Sequence, residues 1–192
     1  MRKIKSLGQA VALLSILVCS CSSPQLVLKN PHPEVLRVRL DFTQEVPDLV
    51  RKELETQFTN YISWHNASPF RFKLETVEPH EPVDLQFTVL VSRLVTSSQQ
   101  TAGVVLSMIG LSLPVIMASA GAEFVVFFWY FPRVNSVVEL SLDPEISGGP
   151  YAKIHRVVSS PGFLKSEPRQ IARHGQYYFS ALKNIFLRLD KK

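Results

Sequence analysis

A long, nearly uncharged stretch in the second half of the chain constrains the fold more than any other feature. Between Arg93 and Arg133, Glu123 is the only charged residue. Residues 102–120 (AGVVLSMIGLSLPVIMASA) carry no charge, and residues 124–131 (FVVFFWYF) are eight consecutive large apolar residues. Because apolar surface is unfavourable in water, both segments require apolar surroundings in the domain, in a partner or in a membrane.

Three interpretations of this stretch remain open from the sequence. A membrane-spanning helix has about the expected length, since a span takes about 20 apolar residues. Nine of the 19 residues in 102–120 are Gly, Ala, Ser or Pro, however, and Gly103, Gly110 and Pro114 weaken a continuous helix. The other two interpretations are a hairpin that contacts a membrane or a partner, and plain burial as a short helix followed by a central strand. The candidate contact residues are Val104, Leu106, Ile109, Leu111, Leu113, Val115, Ile116, Phe124, Phe128 and Trp129.

The first 20 residues have the composition of an export signal. A basic start (Arg2, Lys3 and Lys5) precedes an uncharged apolar run over residues 7–18. Small residues follow the run, which is too short for a comfortable membrane span. The pattern predicts a signal peptide over residues 1–20.

Both cysteines of the chain, Cys19 and Cys21, lie at the end of this signal. The sequence Val18-Cys-Ser-Cys resembles the lipobox of bacterial lipoproteins, in which a small residue precedes the modified Cys. Cys21 fits because it follows Ser20, whereas Cys19 would follow the bulky Val18. The resemblance implies cleavage before Cys21, a diacylglycerol thioether on its sulfur, and an acylated amino terminus with chains such as palmitate. Two or three chains anchor a protein far more firmly than one. The alternative is an ordinary secretory signal with a stray cysteine pair.

The residues after the anchor indicate location. Ser22 stands where lipoproteins retained in the inner membrane carry Asp, so the resemblance implies attachment to the outer membrane, with the domain facing the periplasm. Residues 21–34 include three prolines, which stiffen the backbone and remove hydrogen-bond donors. We therefore expect a lipid-anchored tether over residues 21–34.

Cleavage changes the charge balance. It removes three bases and no acid, so 18 Lys and Arg remain against 16 Asp and Glu. This balance argues against nucleic acid as a partner, because nucleic-acid-binding domains carry a much larger basic excess. With Cys19 removed and Cys21 acylated, no thiol remains for a disulfide, a cysteine metal site or thiol catalysis.

Motifs that carry chemistry are scarce in this sequence. The five histidines lack a metal-ligand spacing such as H-x-x-x-H, and we expect each to lie at the surface or at the edge of the core. They are His32, His65, His80, His155 and His174. There is no G-x-S-x-G motif, and Gly148-Gly149 lacks the Lys and Ser/Thr of a phosphate loop. We expect no catalytic residue, no metal and no cofactor.

Hydrophobic periodicity predicts one α+β domain over residues 35–192, with an apolar insertion at residues 101–132. The predicted order is β-α-β-β-(apolar insertion)-β-β-β-α, giving a mixed or antiparallel sheet of about five to six strands packed by two main helices. In the strand beginning at Val83, we expect Leu85, Phe87 and Val91 to face one side and Ser92 the other. The predicted strands cover residues 36–42, 70–75, 83–92, 124–131, 134–142 and 151–159. The predicted helices cover residues 47–64 and 166–189.

The organisation around the insertion also carries a resemblance. The stretches VDLQFTVLVSRLVTSS, GLSLPVIMASAGAEF and VNSVVELSLD resemble small, mostly uncharacterised bacterial envelope lipoproteins, whose α+β domain carries an apolar insertion containing Gly and Pro. The likeness covers about half of the mature chain. A more distant similarity is to accessory lipoproteins of secretion and transport assemblies. Both resemblances imply a scaffold or assembly role.

The sequence therefore supports three hypotheses about function. The first is an outer-membrane lipoprotein that serves as a non-catalytic structural or assembly component and binds an envelope protein or a membrane through the apolar region. The second is a carrier of a lipid or small hydrophobic ligand, with the apolar segment lining its pocket. The third is an envelope hydrolase with two converging carboxylates. Any chain with 16 acids offers such pairs, so the third function has no specific support.

Overall fold

The computed structural model describes residues 24, 26–29, 34–119, 129–150 and 152–190, without the side chains at positions 114, 115, 117 and 118. The predicted signal peptide, the predicted lipidation site Cys21 and the contact candidates Phe124 and Phe128 lie outside these residues. So does the side chain of Val115.

The described residues form a single α+β domain, as the sequence predicts. The elements are β1 (Val35–Phe42), α1 (Asp48–Ala67), β2 (Lys73–Thr76), β3 (Leu85–Arg93), α2 (Ser97–Ser119), β4 (Arg133–Leu142), β5 (Lys153–Pro161) and α3 (Glu167–Asp190). Helix α2 adds a third long helix to the two that were expected. The uncharged run keeps helical backbone through Pro114, so this residue does not end the helix.

The strands form one mixed sheet in the order β2-β1-β3-β4-β5. Strand β1 pairs in parallel with β2 and with β3, and α1 provides the crossover from β1 to β2. Strands β3, β4 and β5 pair antiparallel. Of the additional strand expected over residues 124–131, only residues 129–131 are described, and they have no strand conformation.

Helices α1 and α3 cover one face of the sheet, and the core lies between them and the strands. Leu85 and Phe87 of β3 and Leu140 of β4 are fully buried on this face. The core centre is aromatic: the ring of Phe186 in α3 stacks on Tyr61 of α1, with centroids 5.3 Å apart. The opposite face of the sheet is more exposed, which explains the period-two alternation of the strands.

The predicted orientation of Ser92 is wrong. The pairing of β3 with β4 shifts register between Val89 and Val91, which is a β-bulge or a similar irregularity. An extra residue in one strand reverses the side-chain alternation beyond it. As a result Ser92 is buried on the helix-covered side, whereas Val91 is only half-buried.

Gly175 lies where α1 and α3 pack closely together. A Cβ at this position would lie 2.3 Å from Glu53 Oε1 and 3.0 Å from Gln57 Cγ, both in α1. A glycine inside a helix costs about 1 kcal/mol of propensity relative to alanine. Here its missing side chain lets the two helices pack closely against each other.

Candidate functional site

Helix α2 exposes an uncharged apolar face. Its sequence contains no Asp, Glu, Lys or Arg. Its large exposed side chains are Val105, Leu106, Met108, Ile109, Leu111, Leu113 and Ile116. Single exposed apolar residues are ordinary in proteins, but a contiguous patch of this kind usually marks a contact surface.

The opposite face of α2 consists of small residues that pack against the returning chain. Gly103, Ser107 and Gly110 are buried, and their spacing of four and three places them on one helical face. A Cβ at Gly103 would lie 2.8 Å from the ring of Phe163 and 2.9 Å from Pro132 Cδ. These contacts explain why a glycine occupies position 103.

The returning chain runs antiparallel to α2. Pro132 lies beside Gly103, and the hydroxyl of Ser107 donates to the carbonyl oxygen of Tyr130 at 3.5 Å. Because Pro132 directly precedes β4, the Gly103 end of this pair lies next to the sheet. The helix beyond Ser107, about 18 Å at 1.5 Å per residue, therefore projects away from the sheet.

We refer to α2 together with residues 129–132 as the apolar projection. Trp129, Tyr130 and Phe131 continue its exposed surface, and the rings of Trp129 and Phe131 stack with centroids 6.2 Å apart. The projection thus presents aliphatic side chains from the helix and aromatic side chains from the return segment.

The structure gives the exposure of each predicted contact residue whose side chain it describes. Val104 is half-buried. The exposed members of the set are Leu106, Ile109, Leu111, Leu113, Ile116 and Trp129. This exposure excludes plain core burial for these side chains. Among the helices of the described ranges, none combines the length and hydropathy needed to cross a membrane. Contact with a partner or a membrane stays a prediction.

Part of the predicted tether is packed on the domain. Lys29 N donates to Ile146 O and Gly148 N donates to Val27 O, each at 2.7 Å. Leu26 and Leu28 are buried. The carbonyl oxygen of Pro24 accepts a hydrogen bond from Arg156 Nη2 at 2.9 Å. The chain from the predicted anchor thus reaches the domain near the turn between β4 and β5.

The incoming chain and the apolar projection lie at opposite ends of the sheet. The incoming chain contacts the end where β4 stops and β5 begins. The projection leaves from the other end, beside Pro132 and Phe163. Along β5, the five residue steps from Arg156 to Pro161 span about 17 Å.

A second cluster carries chemically versatile side chains but is sealed in the core. His174 Nε2 lies 2.7 Å from Ser136 Oγ, and its Nδ1 lies 3.0 Å from Ser160 Oγ. Ser136 Oγ also lies 2.7 Å from Ser92 Oγ. The four side chains are buried, and burial lowers the pKa of His174 to about 4. We refer to them as the His174 network.

A serine beside a histidine is one part of a nucleophilic site, but here the arrangement does not fit one. Both ring nitrogens of His174 are occupied by serine hydroxyls, so the position where a triad carries its carboxylate is taken. Ser136 and Ser160 have no exposed surface. The network joins β3, β4, β5 and α3 and satisfies its buried polar groups mutually.

His65 is buried in the same manner. Its Nε2 lies 3.1 Å from the carbonyl oxygen of Phe72, to which it donates, and its Nδ1 lies 3.2 Å from the hydroxyl of Tyr61. Its ring stacks on Phe70 at 3.9 Å. Burial lowers the pKa of His65.

The expected placement of histidines at the surface or core edge is therefore wrong for His65 and His174. The positions of these two histidines in the sequence could have predicted their burial. His65 lies on the apolar stripe of α1, and His174 lies one helical turn before the buried Tyr178 of α3. Within the described ranges, no group of three or more His, Cys, Asp or Glu residues could hold a metal ion.

Comparison with known proteins finds distant structural likenesses. No protein-family model matches the chain, and no curated protein matches it. A dodecamer of a PelC variant from Paraburkholderia phytofirmans is 12% identical with a TM-score of 0.38, covering 88% of this chain and 93% of that one. A putative neuraminyllactose-binding hemagglutinin homolog from Helicobacter pylori is 11% identical with a TM-score of 0.40, covering 89% and 94%. Uncharacterised lipoprotein B from Nitrosomonas europaea is 11% identical with a TM-score of 0.24, covering 84% and 86%. At these sequence identities and TM-scores, the structural likenesses do not indicate a function.

Proposed function

We propose that this chain is a non-catalytic accessory lipoprotein of the bacterial outer membrane, held by acyl chains on Cys21, with its domain in the periplasm. The apolar projection inserts into an apolar groove of a partner protein. The observation that carries this proposal is the exposed, uncharged face of α2, continued by Trp129 and Phe131. A helix laid into a groove is a recurrent mode of protein recognition.

A protein groove suits the apolar projection better than the surface of the anchoring membrane does. Helices that lie in a membrane interface carry Lys and Arg on a strongly polar face, and α2 has neither residue. The projection also leaves the sheet at the end opposite the incoming tether. Both features support contact with a protein.

The non-catalytic part of the proposal rests on the chemistry of the described side chains. The one serine–histidine cluster found there, the His174 network, is sealed by burial and by its own hydrogen bonds. It offers no free nucleophile or base to a substrate.

The contact surface can be tested with a triple variant of α2, Met108→Ser with Ile109→Ser and Ile116→Ser. The three side chains are 65%, 46% and 60% exposed, so their loss should leave the fold intact. Losing three apolar anchors should weaken partner binding at least about tenfold, since each buried side chain of this size contributes roughly 1.5–3 kcal/mol. The measurement is the yield of a defined crosslinked complex in cells, followed by affinity with the purified partner.

The matched control is Leu49→Ser with Val157→Ser, which removes exposed apolar side chains away from the apolar projection. This control should keep the crosslinked complex. A membrane role would appear differently: a chain carrying Cys21→Ala would float with phospholipid vesicles, and the triple variant would abolish flotation. That result would overturn the choice of a protein groove.

The anchor is tested by Cys21→Ala, with Cys19→Ala as its matched control. We expect Cys21→Ala to move the protein out of the membrane fraction, because the acyl chains that hold it there are lost. Cys19→Ala should remain in the membrane fraction, because Cys19 occupies the tolerant position of the lipobox. Mass spectrometry of the natural protein should show an acylated chain that begins at Cys21. A natural product that begins at Met1 with unmodified sulfur would contradict the anchor.

A further inference from the structure

A cavity of about 190 Å³ lies between β4, β5 and the carboxy-terminal half of α3, away from the apolar projection. Its wall is mainly aliphatic and includes Leu140, Ile154, Leu182 and Leu189. An apolar cavity of about 150 Å³ is known to accommodate benzene, so this volume suits an aliphatic chain of about six to eight carbons. Leu26 of the incoming chain forms part of the same wall.

The polar residues that line the cavity are Tyr178, Asn184, Arg156 and Arg188. The hydroxyl of Tyr178, which lines the cavity, is buried and has no hydrogen-bond partner among the described residues. Burial also raises the pKa of Tyr178, so its hydroxyl keeps its proton at neutral pH. Tyr178 therefore adds no negative charge that would repel an anionic ligand.

Two guanidinium groups also line the cavity. Arg188 is exposed and Arg156 is half-buried, which places both at its mouth. Within the described part of the chain, neither forms an ion pair, and Arg156 donates to the backbone oxygen of Pro24. Guanidinium groups bind carboxylate and phosphate oxygens through paired, charge-assisted hydrogen bonds.

We propose that this cavity binds an anionic amphiphile: its aliphatic chain occupies the apolar wall, and its carboxylate or phosphate head binds Arg156 and Arg188. The inference is independent of the docking role of the apolar projection. It also assigns the ligand to a site other than the apolar segment 101–132, where the carrier hypothesis from the sequence had placed it.

The test uses octanoate, octyl phosphate, 1-octanol and octylammonium as probes, with the chain carrying Cys21→Ala so that detergent is unnecessary. Isothermal titration calorimetry should show that an anionic probe binds at least about tenfold more tightly than 1-octanol, and octylammonium most weakly. The anion that binds more tightly identifies the class of natural ligand. Octanoate represents a free fatty acid, and octyl phosphate represents a phospholipid head.

The variant Arg156→Gln with Arg188→Gln should remove the preference for the anion and leave 1-octanol binding unchanged. Arg173→Gln, an exposed position of α3 outside the cavity, is the matched control and should keep the preference. Ala181→Leu, which adds volume at a cavity-lining position, should weaken all probes. Circular dichroism checks that each variant is folded.

The proposal is overturned if no probe binds, if octanoate and octyl phosphate bind no more tightly than 1-octanol, or if the double arginine variant keeps the preference. The triple variant of α2 separates the two proposals. It should retain octanoate binding even though it loses the partner complex.

Discussion

Replacing Phe186 by alanine is expected to lower the free energy of unfolding by about 3–5 kcal/mol. Phe186 has no exposed surface, and its ring lies 5.3 Å from that of Tyr61 and 5.7 Å from that of Phe87. Truncation would leave a cavity where α1, α3 and the sheet meet, and close-packed neighbours relax only partly into such a space. Urea unfolding at pH 7, followed by circular dichroism, measures the loss.

Tyr177→Ala is the matched control for Phe186→Ala, because it removes an aromatic ring from the exposed side of the same helix. It should change the free energy of unfolding by less than about 1 kcal/mol. Equal losses for Phe186→Ala and Tyr177→Ala would mean that α3 does not pack on the sheet in the way described.

Acidification is expected to destabilise the domain through His174. Its pKa in the folded state is lowered to about 4 by burial, whereas an unfolded histidine has a pKa of about 6.5. Between these values the unfolded chain binds the proton more readily, so the stabilisation is fully present above about pH 6.5 and is lost as pH falls toward 4. The difference amounts to about 3 kcal/mol. His65, whose pKa burial also lowers, acts in the same direction.

The measurement compares the free energy of unfolding at pH 7 and pH 4.5 for the wild type, His174→Gln and His155→Gln. His174→Gln removes one of the two buried histidines and should reduce the pH dependence, even though it costs stability at pH 7. His155 is exposed on β5, so His155→Gln is the control for replacing a histidine outside the core. If His174→Gln shows the same slope as the wild type, His174 is not the group that titrates.

Periodicity in the sequence predicted most of the elements because each one exposes only one face. Strands β1, β4 and β5 and helices α1 and α3 lie within a few residues of the predicted ranges. Strand β2 is shorter than predicted, since it pairs with β1 only from Lys73 to Thr76. The alternation at Phe70 and Phe72 comes instead from packing against His65.

Pairing and long-range polar contacts could not be predicted, because they depend on which elements meet. The parallel pairing of β1 with β3 is one such case. The His174 network is another, since it joins Ser136 and His174 across 38 positions of sequence. The bulge in β3 places Ser92 on the face opposite to the predicted one, and no residue pattern in this strand predicts a bulge. Ser136 did carry a signal, because it alternates in register with the buried Val134 and Val138.

For the candidate site, the sequence singled out the apolar residues and left their environment undecided. Leu106 and Ile116 are equally apolar whether a helix is buried in a core or exposed on a projection. Of the small residues at positions 103, 107 and 110, the two glycines were interpreted only as weakening a helix. The close packing of Gly103 against the returning chain could not be predicted, because it requires knowing that Pro132 and Phe163 lie nearby.

If Cys21 carries the proposed lipid, the placement of α2 relative to Pro24 would make the domain a spacer. The incoming chain meets the domain beside Arg156, whereas α2 leaves the sheet at its other end. The stretch of β5 between these points is about 17 Å long, and α2 continues for about 18 Å beyond Ser107. The proposed receptor would then offer its groove on the side of the domain away from the acyl chains, in the aqueous layer.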